Sequence, residues 1–192
     1  MNESAAVTDR RVALLRGINV GRANRLAMAD LRTLFSELGY ADVRTLLNSG
    51  NVVFTVVKRQ TGDCAERIEH AIERRLGVTT RVVVLRRPEL AGAVLENPLG
   101  TIADTPSRLL LMALRDAAAV ARLTPLLKDR WAPEALALGK RVAYIWCAQG
   151  IHDSRLWAAA NRAVGDAGTA RNLTTMTKLL ALVDDSHAAS AR

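Results

Sequence analysis

The predicted order of secondary-structure elements constrains this chain more than any single motif does. Short apolar, β-rich runs alternate with helical patterns in which apolar residues recur every three or four positions. Strand, helix, strand, strand, helix and strand follow one another with a trailing helix, and the series recurs at an offset of roughly 95 residues. The predicted strands are residues 11–15, 43–47, 52–57 and 80–85 in the first series and 109–114, 135–138, 141–147 and 168–171 in the second.

This order is that of the ferredoxin-like, split β–α–β unit. The sequence therefore predicts an α+β protein of two tandem ferredoxin-like (βαββαβ) subdomains, residues 10–98 and 105–184, with a frayed tail at 185–192. No Pro-, Gly- or Ser-rich linker separates the two halves, so we expect them to pack closely together. The halves share a pattern of elements without convincing residue-level identity.

Composition places the chain among globular proteins. Hydrophobic residues make up 49% of the sequence, and no apolar run approaches the roughly 18 residues of a membrane span. Residues 1–9 lack the apolar segment of a secretory signal. Cys64 and Cys147 fall in a helical and a strand pattern, and we expect two reduced, mostly buried thiols. These features together predict a cytoplasmic location and no membrane partner.

The chain is strongly basic. It has 27 Lys and Arg residues against 19 Asp and Glu residues, a formal net charge of +8 at pH 7. Such an excess attracts nucleic acid, acidic lipid and phosphorylated metabolites. Lysines are few and alanines abundant, which is typical of a GC-rich coding bias, so part of the excess has an origin outside function.

Two polar loops are predicted to meet at one edge of the first sheet. The first and second strands of a split β–α–β unit are parallel, so the first strand ends beside the turn between the second and third strands. Glycine, asparagine and arginine there suit an anion, but tight turns and solvated surfaces need the same residue types. The candidate ligand-binding residues of this loop edge (residues 16–25 and 48–51) are Arg16, Gly17, Asn19, Gly21, Asn24, Arg25, Ser49, Gly50 and Asn51.

A second candidate segment precedes the last helix. Arg171 and Asn172 stand at its predicted start, and Lys178 lies off its apolar stripe. A helix N-terminus favours anions, so these three residues are candidate ligand-binding groups. The alternative, which the chemistry alone favours, is an Asn or Thr N-cap with a solvated lysine.

Other catalytic schemes find little support in the sequence. The phosphate-loop pattern GxxxxGK[ST], the dinucleotide pattern GxGxxG and the hydrolase elbow GxSxG are all absent. His70, His152 and His187 have no metal-ligand spacing. We therefore predict no metal and no cofactor, and the sequence leaves open whether the protein is an enzyme.

The polar segments resemble those of a known family of uncharacterised proteins, DUF1697. That family has an ALLRGINVGG-x-NK-x-x-M opening, an SGNV segment, an NP pair, a G-I-x-x-S-x-L stretch and a T-x-RN-x-x-T-x-x-K-L signature. The corresponding residues are 13–21 with Asn24 and Met28, 49–52, Asn97-Pro98, Gly150-Ile151 with Ser154 and Leu156, and 169–179.

The resemblance implies a two-subdomain α+β fold of ferredoxin-like character and no known activity. Arg22 replaces the second glycine of the opening, which would narrow a glycine-lined approach to the loop edge. Arg25 and Asn48 stand for the usual lysine and glutamine, and Leu173 and Thr174 for a common Trp-Asn pair.

Three hypotheses for function follow, in this order. The first is binding of an anionic partner, nucleic acid or a phosphorylated small molecule, at the loop edge. The second is a metal-independent enzyme on a small anionic substrate, with Arg16, Arg171 and Lys178 as electrostatic clamps in one pocket. The third is an interaction or assembly protein that forms homodimers through unpaired sheet edges.

Overall fold

The computed structural model describes residues 9–20, 24–57 and 62–185. Gly21, Arg22 and most of the predicted tail lie outside these residues. The described chain is an α+β protein with eight strands in two four-stranded antiparallel sheets and six α-helices. The predicted α+β class is therefore confirmed.

The elements of the first half follow the predicted order. They are β1 (Asp9–Leu15), α1 (Met28–Glu37), β2 (Tyr40–Leu46), β3 (Asn51–Val56), α2 (Cys64–Leu76), β4 (Val82–Arg86) and α3 (Arg87–Leu95).

The second half repeats this order, and Pro125 divides its first helical segment. Residues 117–128 form a short helix and a 3₁₀ turn, Thr124–Lys128, because proline cannot donate the next helical hydrogen bond. The elements are β5 (Leu109–Leu114), α4 (Ala117–Ala121), β6 (Ala135–Leu138), β7 (Val142–Trp146), α5 (Arg155–Val164), β8 (Gly168–Asn172) and α6 (Leu173–Asp184).

The two sheets have the same topology. Their strand orders are β2-β3-β1-β4 and β6-β7-β5-β8, with every neighbouring pair antiparallel. In the first sheet Leu14 pairs with Asn51 on one side and Val83 on the other. The outer strand β2 carries a register shift and a positive φ of 51° at Asp42, an irregularity that blunts an exposed sheet edge.

Both faces of the central strands are buried. Val12 and Leu14 of β1 belong to a core shared by the two halves, whereas Ala13 and Leu15 pack with residues of α1 and α2. This alternation follows from the two-residue period of a strand. Strand β5 is buried along its whole length in the same way, with one face toward the shared core and the other toward α4 and α5.

Helices α3 and α6 lie in the layer between the sheets. They pack on each other, and α6 also contacts β1, β3, β5 and β8. Leu90 and Ala93 of α3 and Met176, Leu179 and Val183 of α6 are buried in the shared core. The trailing helix of each half therefore joins the halves into one packed unit. None of the helices in the described chain has the length and apolar character needed to cross a bilayer.

Candidate functional site

The two predicted polar loops are brought together in the structure. The Asn19 side chain donates from Nδ2 to the carbonyls of Asn48, at 2.7 Å, and Leu26, at 2.9 Å. Its Oδ1 accepts from the Leu26 backbone N–H at 2.8 Å. Asn24 closes the same loop, since its carbonyl accepts from the Asn19 N–H at 3.0 Å. The Asn19 side-chain amide and the Asn24 backbone carbonyl thus hold the loop edge in shape.

Gly50 is the tightest point of the loop edge. Its φ is +72°, and an added Cβ would lie 2.7 Å from Leu15 Cβ and from Ile18 Cδ1. Gly17 has a similar φ of +64°, but an added Cβ there meets nothing within 4 Å. Gly50 is therefore required for close packing as well as for backbone conformation.

We expect Gly50→Ala to destabilise the protein by about 2–4 kcal/mol, because left-handed strain and a backbone-level clash add together. Gly17→Ala, which meets only the backbone strain, should cost about 1 kcal/mol. Urea denaturation of both variants measures the difference. An equal decrease in the free energy of unfolding for the two variants would contradict the packing role of Gly50.

Arg171 is half-buried in the layer between the sheets and ties the halves together. Its five N–H groups match five protein acceptors, and burial lowers the pKa of the guanidinium to about 10, so it is charged at neutral pH. The acceptors are Asn51 Oδ1 at 2.6 Å, the carbonyls of Leu15 at 2.7 Å, Ser49 at 2.9 Å and Ala170 at 2.8 Å, and Thr169 Oγ1 at 3.0 Å.

The arginines that follow β1 and β5 make reciprocal bonds across the two halves. Arg16 donates to Asn161 Oδ1 on α5 at 2.9 Å and to the Gly168 carbonyl at 2.7 Å. Arg115, at the equivalent place after β5, donates to Glu69 Oε1 on α2 at 2.8 Å. Each half therefore extends an arginine from its first strand to the second helix of the other.

The predicted site residues differ in their surroundings: some bond to other protein groups and some are exposed to solvent. Arg16 and Arg171 do lie on the same side, but their guanidiniums bond mainly to protein groups. Asn172 is the N-cap of α6, with Oδ1 accepting from the Thr175 N–H at 2.9 Å, as the structural alternative predicted. Arg25 and Lys178 are exposed. Ser49 and Asn51 bond to each other and to Arg171, and Gly21 lies outside the described residues.

A cavity of about 260 Å³ lies between the halves, and none of its lining residues belongs to the loop edge. Its walls come from β1, β4, the first turn of α2, the start of α3 and two residues of the second half. Four guanidiniums and two carboxylates line it. The lining residues are Arg11, Asp63, Cys64, Ala65, Val82, Val84, Arg86, Glu89, Arg115 and Arg141.

Three of these arginines have carboxylate partners and the fourth does not. Arg11 pairs with Asp9, a hydrogen bond that raises the pKa of the guanidinium. Arg115 pairs with Glu69 at 2.8 Å, and Arg141 pairs with Glu89 at 3.0 Å. Arg86 is exposed, and none of the carboxylates in the described chain forms an ion pair with it. The arginine-lined cavity thus contains one cation free to bind an anion.

A second cavity of about 560 Å³ adjoins the first and shares Glu89 and Arg141 with it. It lies between α3 and the β6–β7 hairpin. Burial raises the pKa of Tyr144 in its wall, and the nearby Glu96 carboxylate adds to the shift. Its other lining residues are mostly apolar or small: Leu85, Pro88, Gly92, Ala93, Pro98, Leu138, Gly139, Lys140 and Val142.

The two adjoining cavities form one cleft, and sequence reasoning overlooked the arginines that line it. Arg11 and Arg86 lie on strands and look like solvated edge residues in the sequence. Arg115 did carry a signal, since it follows β5 as Arg16 follows β1. Arg141 follows Gly139 and Lys140, which lie between β6 and β7. The cleft takes groups from both halves, whereas the sequence singled out mainly the first.

The described residues include two free cysteines and no cluster of side chains that could bind a metal. Both cysteines are free thiols, as predicted, and Cys147 is buried. Cys64 Sγ lies 3.1 Å from Tyr40 Oη, and burial, reinforced by this hydrogen bond, raises the pKa of the phenol. A search of the described residues finds no cluster of three His, Cys, Asp or Glu side chains able to hold a metal.

Comparisons with known proteins bear on the family and the fold. A family whose sequence model is described as "Protein of unknown function (DUF1697)" matches residues 8–144. The solved structure of the conserved bacterial protein SP0830 from Streptococcus pneumoniae is similar, with a TM-score of 0.70 and 22% sequence identity, covering 92% of this chain and 99% of that chain. At this identity the similarity concerns the fold alone. No curated protein gives a significant match.

Proposed function

The chain belongs to the DUF1697 family, whose function is unknown, and we propose that it binds a small oxyanionic molecule in the cleft between its halves. Arg86 carries this proposal. Its guanidinium has no carboxylate partner among the described residues, and it borders a cavity lined by three further arginines. Guanidiniums bind phosphate and carboxylate oxygens in bidentate fashion.

The side chains that line the cavity around Arg86 carry four positive and two negative charges. The first turn of α2, with Cys64 and Ala65, borders the same cavity, but the Asp63 carboxylate caps this turn and offsets the partial positive charge of the helix N-terminus. A volume of about 260 Å³ suits a phosphate or a similarly small group better than a polymer. These features favour the small-molecule form of the first hypothesis and move its site from the loop edge to the cleft.

The burial of the sheets favours a small molecule over nucleic acid. We propose that each half is a ferredoxin-like unit, on the strength of the shared strand order β2-β3-β1-β4 and β6-β7-β5-β8. RNA-binding units of this kind stack bases on an open sheet face. Here Val12, Ala13, Leu14 and Leu15 are buried on both faces of the central strand, so the described sheet offers no such platform.

We expect inorganic phosphate and pyrophosphate to bind the protein saturably at low salt, and Arg86→Gln to weaken binding about tenfold. The reason is loss of a charge-assisted hydrogen bond to the anion, worth about 1.5–3 kcal/mol. Amide chemical-shift titration measures the affinity and shows which residues respond.

Arg87→Gln is the matched control. It removes the same charge one residue away, but Arg87 is exposed, pairs with Asp184 at 2.7 Å and does not line the cavity. Its phosphate affinity should equal that of the wild type. Absence of binding at low salt, or equal weakening by both variants, would refute the proposal.

A further inference from the structure

The adjoining cavities have different linings. Val82 and Val84 of β4 border the arginine-lined cavity, and Leu85 borders the larger one. Successive side chains of a strand point to opposite faces, so the two cavities flank this edge strand and meet where it ends. Arg141 and Glu89 stand in the walls of both.

The larger cavity suits an uncharged body better than a second anion. Its apolar lining includes Leu85, Pro88, Ala93, Leu138 and Val142, while Glu89 and Glu96 offset Lys140 and Arg141. Its volume of about 560 Å³ falls in the range of pockets that hold small organic ligands.

Gly92 lines this cavity. It is an interior residue of α3, a position where glycine disfavours a helix. An added Cβ would contact only the Glu96 carboxylate, at 3.7 Å or more. The packing leaves room for a side chain here, so a larger residue at position 92 would take up space in the cavity that Gly92 lines.

We propose that the ligand is an amphiphilic small molecule, with an oxyanion head at Arg86 in the arginine-lined cavity and an apolar body in the cavity beside Gly92. This inference rests on the proposed function, since it takes the anion site as the position of the head. The Arg141–Glu89 pair stands where head and body join, and the Tyr144 hydroxyl supplies a polar contact for the body.

Hexyl phosphate tests the inference against inorganic phosphate. We expect hexyl phosphate to bind the wild type about tenfold or more tightly than inorganic phosphate, because burying part of the alkyl chain adds affinity. Hexanoate, titrated in parallel, distinguishes a carboxylate head from a phosphate head by its relative affinity. Amide shifts from the chain should appear in α3 and in the β6–β7 hairpin.

Two substitutions of Gly92 distinguish binding in the larger cavity from binding in the arginine-lined cavity. Gly92→Leu should abolish the advantage of the alkyl chain while leaving the affinity for inorganic phosphate unchanged. Gly92→Ala, which adds only a Cβ, should keep most of that advantage. Replacing glycine within a helix should also raise the Tm of Gly92→Ala by about 2 °C.

The outcomes distinguish this inference from the proposed function. Suppose that inorganic phosphate binds through Arg86 but hexyl phosphate binds no more tightly, or that Gly92→Leu still binds hexyl phosphate more tightly than inorganic phosphate. The proposal of an amphiphilic ligand is then wrong, and the anion site stands. If no phosphate binds and hexyl phosphate also fails, both are wrong.

Discussion

Replacing Arg171 with methionine is expected to destabilise the protein by about 3–5 kcal/mol, which corresponds to a Tm lower by about 10 °C or more. Methionine fills a similar length but offers no N–H to the five acceptors. Three of these acceptors belong to the first half: Leu15 O, Ser49 O and Asn51 Oδ1. The substitution therefore removes hydrogen bonds between the two halves. Chemical denaturation measures the change in the free energy of unfolding, and thermal unfolding measures the change in Tm.

Two further variants show whether geometry or charge is responsible. Arg171→Lys keeps the positive charge but has only three donors, and we expect it to lower the free energy of unfolding by about 2 kcal/mol. Lys178→Ala removes an exposed charge from the next helix and should change stability by no more than about 0.5 kcal/mol. A loss below about 1 kcal/mol for Arg171→Met would show that the guanidinium does not hold the halves together.

Glu69→Ala is expected to cost about 2–4 kcal/mol, because it removes the acceptor of the buried Val82 N–H together with a charged partner of Arg115 and of Arg81. Glu69 Oε1 accepts from the Val82 N–H at 2.8 Å and from Arg115 at 2.8 Å, and Oε2 accepts from Arg81 at 3.2 Å. The Glu69 side chain is buried. Glu69→Gln retains an amide oxygen for one donor and should lose about 1–2 kcal/mol.

Glu66→Ala is the matched control for Glu69. Glu66 lies one turn earlier on α2, is mostly exposed and stands 3.6 Å from the same Arg115. Exposed ion pairs contribute little, so its loss should change the free energy of unfolding by about 0.5 kcal/mol or less. Comparable losses in urea denaturation for Glu66→Ala and Glu69→Ala would contradict the role assigned to the buried carboxylate.

The fold was largely predictable because its signals are local and periodic. Strand β5 was predicted at its observed bounds, residues 109–114. The convergence of the loops at Asn19 and Asn48 followed from strand direction alone. The packing of α3 and α6 between the sheets was not predictable, since an apolar stripe on a helix does not identify its partner.

The candidate site was harder to predict, because an arginine has the same appearance in sequence whether its donors are occupied or free. The sequence makes Arg171 a candidate ligand-binding group, but in the structure its donors meet the backbone and amide acceptors of the loop edge. Arg86 was not singled out, since its importance depends on residues far away in the chain. Only the contact between halves shows that Arg115 and Arg141 stand beside it.

The location of a bound oxyanion tests the central claim most directly. Tungstate has the charge of a phosphate dianion and a strong anomalous signal, so diffraction from crystals soaked in it would locate the anion. We expect a peak within hydrogen-bond distance of Arg86 in the arginine-lined cavity, absent from Arg86→Gln crystals and present in Arg87→Gln crystals. A peak confined to the loop edge at residues 16–25, or a peak in the cavity that survives Arg86→Gln, would contradict the account.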